Sequence, residues 1–152
     1  MEIDSEYTLL TRSWIKAVTK FFADIVANND DRYFHPHPFT FEMAEKIAAY
    51  EGKDLYFLQV RGGEISGYAM LRGWDENFTI PSLGIVIHPT FRDQGLGKKF
   101  MSFLHDQARI KGARKVRLKV YSENKKAQEF YEKLGYCFID EEDGQFIGIH
   151  EL

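Results

Sequence analysis

Apolar positions recur along the chain at helical and strand spacings in turn, and the alternation of the two periods predicts a mixed α/β order. Tyr7 to Thr11 is a short β-prone run, and from Ser13 onward Ile15, Val18, Phe22, Ile25 and Val26 repeat at helical spacing. A strand followed by a helix is expected. Asn28 to Thr40 breaks the pattern with Asn-Asn-Asp-Asp and His-Pro-His-Pro, because each proline restrains itself and the residue before it to extended geometry. That segment reads as a loop. Phe41 to Tyr50 resumes a helix with Met43, Ile47 and Ala48 inward, and Gly52 stands in the usual stop position.

Leu55 to Val60 and Glu64 to Arg72 are β-prone runs separated by Arg61-Gly62-Gly63, whose glycines suit a hairpin turn, so an antiparallel pair is predicted. Gly73 to Thr79 is a polar turn. Ile80 to Ile87 is apolar enough to predict a central strand buried on both faces. His88 to Gly95 connects it to a helix over Leu96 to Lys111, with Leu96, Phe100, Phe103, Leu104 and Ala108 on one stripe and Gly112 at its end. Lys115 to Tyr121 alternates Val116, Leu118 and Val120 with Lys115, Arg117 and Lys119, a strand with one wet face. Asn124 to Leu134 predicts a helix with Ala127, Phe130, Tyr131 and Leu134 inward, and Gly135 closes it. Tyr136 to Ile139 and Gln145 to Ile149 form a last strand pair around Asp143-Gly144. No internal repeat or linker is visible, so one domain over residues 1–152 is expected.

Composition supports a globular chain: hydrophobic residues make up 44% and charged residues 28% of 152, enough apolar side chain for a sizeable core. No apolar run reaches the roughly 18 residues a membrane span needs, and the acidic start is unlike a secretory signal, so a cytoplasmic protein without membrane contact is expected. The single cysteine, Cys137, cannot pair internally and reads as packing in a strand.

Charge is unevenly placed. Arg92 to Lys126 carries 11 Lys and Arg against 3 Asp and Glu, a balance of +8, whereas the rest carries 9 against 20, or −11. A polyanionic ligand suits this basic segment, as do solvated helix and strand faces. Nucleic acid is disfavoured because the segment supplies few aromatics for base stacking.

The most informative stretch is Ile85-Val86-Ile87-His88-Pro89-Thr90-Phe91-Arg92-Asp93-Gln94-Gly95-Leu96-Gly97-Lys98, a buried strand running through a glycine turn into a helix. Unpaired N–H groups and the dipole at such a helix start favour an anion, and glycine permits close backbone approach. Two better-known phosphate loops are excluded. Lys98 is followed by Lys99 where a P-loop needs Ser or Thr, and a dinucleotide fingerprint requires a third glycine at Phe100.

Arg92-Asp93-Gln94-Gly95-Leu96-Gly97 resembles the acetyl-CoA motif of the GCN5-related N-acetyltransferase family: Arg or Gln, two residues, Gly, one residue, Gly or Ala. A second block, Asn124 to Tyr136, agrees with the family's later pattern. The resemblance implies a mixed α/β fold of the α+β type, with a mostly antiparallel central sheet of about seven strands flanked by about four helices. It also implies an acetyl-CoA-dependent N-acetyltransferase acting in a ternary complex on a primary amine of a small molecule, such as an amino sugar, amino acid or polyamine. The alternatives are a non-catalytic acyl-CoA-binding module and a peptide or protein N-acetyltransferase.

By similarity, amides from Asp93 to Lys98 would hold the pyrophosphate, with charge from Arg92 and Lys98. The backbone of Ile85 to Ile87 would pair with the pantetheine arm and supply an oxyanion donor. Asn124 would contact acetyl-CoA or simply cap its helix. Tyr131 matches the general acid, although a tyrosine on an apolar helix stripe also reads as core. Ser82 stands where family members commonly carry Glu, and Lys119 where those acting on protein N-termini often do. The remaining base candidates are His35, His37, Asp75, Glu76, His88 or a backbone-held water. His35 and His37 lack a third ligand, so no metal is expected. Acceptor contacts in the family would correspond to Tyr33, Phe34, His35, His37, Phe39, Trp74, Asp75 and Glu76, and a homodimer is compatible with the resemblance.

Overall fold

A computed structural model describes residues 4–152. Its sheet contains β1 (Ser5–Leu9), β2 (Leu55–Arg61), β3 (Glu64–Arg72), β4 (Ser82–Ile87), β5 (Lys115–Tyr121), β6 (Cys137–Glu142) and β7 (Gln145–Glu151). Four α-helices, α1 (Ile15–Ala27), α2 (Phe41–Ala49), α3 (Leu96–Ile110) and α4 (Lys125–Lys133), complete the expected mixed α/β architecture. None of these helices is long and apolar enough to cross a membrane.

Strand order is β1-β2-β3-β4-β5-β7-β6, and every pairing is antiparallel except β4 with β5. A parallel pair needs a crossover, which α3 supplies. The alternating side chains of the sheet feed two cores. On one face α1 and α2 cover Leu58, Val60, Tyr68, Met70 and Val86. On the other, α3 covers Phe57, Ala69, Leu71, Leu83, Val116 and Leu118, with Phe130, Tyr131 and Leu134 of α4 packed against the same cluster.

Several local expectations change. The first turn before α1 is a 3-10 segment, Arg12–Trp14, so the α-helix begins two residues after Ser13. Gly52 does not stop α2: the helix ends at Ala49 because Tyr50 turns extended, and the Tyr50 ring lies where a Gly52 Cβ would be. Cys137 is exposed rather than packed, since β6 is the outermost strand and carries a register irregularity between Phe138 and Asp140.

The expectation that the central strand is buried on both faces also fails. Within β4 only Leu83 and Val86 are buried, because β4 and β5 meet at a single registered pair, Ser82 with Arg117, and then separate. Arg117 N donates to Pro81 O at 3.0 Å at this vertex. The split leaves a cleft in the middle of the sheet.

Two contacts place α3 beside that cleft. Gln59, fully buried at a β-bulge, donates through Nε2 to Leu96 O at 3.0 Å and so ties the first residue of α3 to β2. Gly67 lets the helix approach, since a Cβ there would lie 2.9 Å from Ile87 Cδ1 and 3.0 Å from Phe100 Cδ2.

Candidate functional site

The cleft has a volume of about 670 Å³ and runs from the start of α3, between β4 and β5, to the loop joining α1 and α2. Of the residues singled out in the sequence, Ile85, Ile87, Arg92, Asp93, Gly95, Leu96, Gly97, Lys98, Asn124 and Tyr131 all form its wall. Gln94 turns away, its Oε1 accepting from Arg61 Nη1 at 3.0 Å.

Backbone geometry explains what the glycine turn can hold. Asp93 and Gly95 are left-handed, with φ of 61° and 76°, and such alternation of hand lets successive N–H groups converge on an anion. Gly95 precedes Leu96, so the N–H groups of the first helical turn have no acceptor within α3. Together with Lys98, they make a cradle suited to a pyrophosphate.

The strand edge is the second element. His88 N donates to Ser66 O at 2.8 Å, which sets the antiparallel alternation: the even residues of β4 bond to β3, and Leu83, Ile85 and Ile87 turn their N–H and C=O groups toward β5. With β5 splayed away, Ile85 presents backbone groups to the cleft as a free sheet edge does. Ile87 O is already taken, accepting from Arg92 Nε at 3.0 Å.

Arg92 therefore does something other than offer a free charge. Its guanidinium grips Ile87 O and pairs with Asp30 at 2.8 Å, joining the end of β4 to the loop after α1. Asp30 carried no signal in the sequence, because it lies far from Arg92 in the chain. Arg92→Leu is expected to lower stability by about 1–3 kcal/mol, seen as a lower urea midpoint, because Asp30 would keep a largely buried carboxylate with only the Asn28 amide, at 3.0 Å, as a partner.

Asn124 caps α4, its Oδ1 accepting from Ala127 N at 3.4 Å, and it also lines the cleft, so both readings of that residue hold geometrically. Tyr131 projects from α4 into the wall, and burial pushes its phenol up to about 12. Its ring meets those of Phe130 and Tyr136 edge-on, at 5.4 and 5.8 Å between centroids.

None of the side-chain base candidates lines the cleft. His35 Nε2 bonds to Tyr121 Oη at 2.6 Å, and His37 Nε2 to Tyr68 Oη at 2.8 Å, with burial pushing the His37 pKa down. Asp75 accepts from Tyr50 Oη and Lys53 N, an arrangement that holds its carboxyl below the usual range. His88 pairs with Asp24 at 2.8 Å in a separate hollow of about 330 Å³ beside α1.

The expected acceptor wall is divided as well. Tyr33 and Phe34 reach the cleft, and Phe34 lies over Gly84, where a Cβ would approach its ring to 3.3 Å. Trp74 instead packs into the α3 core beneath Lys111 Nζ, 5.2 Å from the ring centroid.

The acetyltransferase (GNAT) family model matches residues 19–136, most of the chain. A GNAT-family acetyltransferase structure from Streptococcus pneumoniae superposes with a TM-score of 0.82 at 18% identity, covering 98% of this chain and 99% of that one. The PaiA N-acetyltransferase from Thermoplasma acidophilum, solved in complex with coenzyme A, gives 0.81 at 15% identity over 98% and 99%. The ribosomal-protein-S18-alanine N-acetyltransferase from Escherichia coli gives 0.73 at 18% identity over 97% and 94%. No curated protein sequence matches. The structural likenesses are likenesses of fold, and with the family match over most of the sequence they show that this chain belongs to the GNAT acetyltransferase family.

Proposed function

We propose that the chain transfers an acetyl group from acetyl-CoA to the primary amine of a small molecule. The observation that carries this reading is the continuity of one cleft from the amide cradle at α3, along the open edge of β4, to Tyr131. Structurally similar proteins, an N-acetyltransferase solved with coenzyme A and a ribosomal-protein-alanine N-acetyltransferase, support acetyl transfer as the chemistry.

Bound acetyl-CoA supplies the activated acyl group. The N–H groups around Gly95 to Lys98 hold its phosphates, and the β4 edge at Ile85 orients the extended arm and offers an N–H to the carbonyl oxygen. Tyr131 holds its proton throughout neutral pH and gives it to the sulfur as the carbon–sulfur bond breaks. An ordinary thiol sits near 8.5, so this transfer is uphill unless the surplus proton of the attacking nitrogen returns to the phenolate. The acceptor attacks as the free amine, and a water held by backbone groups relays its surplus proton from the nitrogen to the Tyr131 phenolate, because the base candidates face elsewhere and Asp30 is paired.

The same lack of a side-chain base in the wall favours a second reading, an acyl-CoA-binding module without turnover. Thermal unfolding with excess acetyl-CoA, against adenosine diphosphate as a weak control, tests what the two readings share. At about 100 times the dissociation constant a ligand adds roughly 2.7 kcal/mol, a rise of several degrees for a chain this size. No rise at millimolar acetyl-CoA would sink both. Turnover on an amine panel then separates them.

A further inference from the structure

The face of the sheet that meets the acceptor end of the cleft is cationic. Arg72, Ser82 and Arg117 lie in one cross-strand row, since Arg72 registers with Ser82 and Ser82 with Arg117. Cross-strand partners share a face, and that face carries Tyr68, Met70 and Val86, the side of α1 and α2. Lys119 follows Arg117 by two residues on β5, so it shares this face, roughly 7 Å farther along, and it lines the cleft, whereas Arg72 and Arg117 stand on the adjoining face beside it.

These charges are poorly compensated. Arg117 is half-buried, its other cross-strand neighbour is Ile149, and its guanidinium makes no hydrogen bond or ion pair among the described residues. Lys119 has only a long contact of 3.7 Å to Glu142 at the sheet edge, and Arg72 donates to the neutral Pro36 carbonyl at 3.2 Å. The carboxylates lining the cleft offer no balance: Asp30 is paired with Arg92 and Asp93 with Lys126. A cleft with Lys119 in its wall and Arg72 and Arg117 on the adjoining face disfavours an amine whose remaining groups are also cationic.

We infer that the acceptor is an amine that also carries a carboxylate, bound by Arg117 and Lys119 while its nitrogen faces the β4 edge. This rests on the acetyl-transfer reading and narrows its substrate class to amino acids and related anionic amines. A guanidinium beside an ammonium suits a carboxylate because one offers a planar pair of donors and the other a mobile charge. Phe34 and Tyr33, in the same cleft wall, give an apolar lining for the body of such a molecule.

Matched pairs test it: L-phenylalanine against phenethylamine, and γ-aminobutyrate against butylamine. Rates are measured with acetyl-CoA, and binding by calorimetry in the presence of coenzyme A. At least one carboxylate-bearing member should exceed its partner by about tenfold or more in both kcat/KM and affinity, in line with a charge-assisted contact. Arg117→Gln and Lys119→Gln should bring that ratio toward unity, whereas Arg117→Lys should retain most of it. Equal or reversed preference in both pairs, or a ratio unmoved by the glutamine variants, overturns the inference while leaving acetyl transfer intact. Absence of stabilisation by acetyl-CoA overturns acetyl transfer and this inference together.

Discussion

Replacing Tyr131 with phenylalanine is expected to lower turnover by about a hundredfold or more, with acetyl-CoA affinity unchanged. A positioned general acid contributes on the order of 10²- to 10⁴-fold, so the lower end corresponds to roughly 2.7 kcal/mol of barrier. Tyr131 is suited to this comparison because its hydroxyl makes no hydrogen bond among the described residues, while its ring packs with Phe130 and Tyr136. Phenylalanine keeps the ring contacts and breaks no internal bond, so stability should stay within a few tenths of a kcal/mol. Steady-state kinetics, acetyl-CoA titration and urea unfolding of the two proteins give the comparison. Unchanged kcat would assign the residue to packing, the reading its place on an apolar helix stripe also allows.

A second large effect is expected in acid. His105 lies buried in α3, with Nε2 2.7 Å from Tyr136 Oη and its ring 4.9 Å from that of His150. Burial first, then the charges of His150 and Arg109, lowers its pKa to about 4. In the unfolded chain it returns to about 6.5, so between these values the unfolded state binds the extra proton. The stabilisation is therefore complete above about pH 6.5 and is lost as pH falls toward 4, amounting to about 3 kcal/mol. His105→Gln preserves a polar partner for Tyr136 without titrating. Urea midpoints should show a shallower decline from pH 7 to 4 in the variant than in the parent, and parallel curves would remove His105 as the cause. The pair bears on function because Tyr136 supports the ring of Tyr131.

Elements with a strong local period were legible. Val116, Leu118 and Val120 are buried as the two-residue alternation of β5 requires, and Asn124 caps α4 as its side chain predicts. The stripe of α3 is legible nearly whole, apart from Met101 and His105, which are also buried. What periodicity cannot distinguish is an apolar residue under a helix from one facing a ligand space. The period alone reads Ile85 and Ile87 as core; they pack partly against the α3 cluster and also border the cleft, as the family resemblance implies.

Long-range pairings left less trace. Asp30 with Arg92 and His35 with Tyr121 join the loop after α1 to the ends of β4 and β5, and neither partner predicts the other at those separations. Trp74 followed the same rule in reverse. The family resemblance implies an acceptor contact there, but only the placement of α3 reveals Lys111 above it. The amide cradle is legible because its parts are contiguous, from Asp93 to Lys98.

The divergence of β4 from β5 has a further consequence for how the protein behaves at high concentration. An ordinary open sheet has two unpaired strand borders, and such borders recruit other chains into aggregates. This sheet has two additional borders in its interior, along the parts of β4 and β5 beyond Ser82 and Arg117. They face one another beneath α3 and α4 on one side and the loop after α1 on the other. Backbone groups are thus kept unpaired, and available to a slender guest, in a place another folded molecule's strand would have to break in to reach.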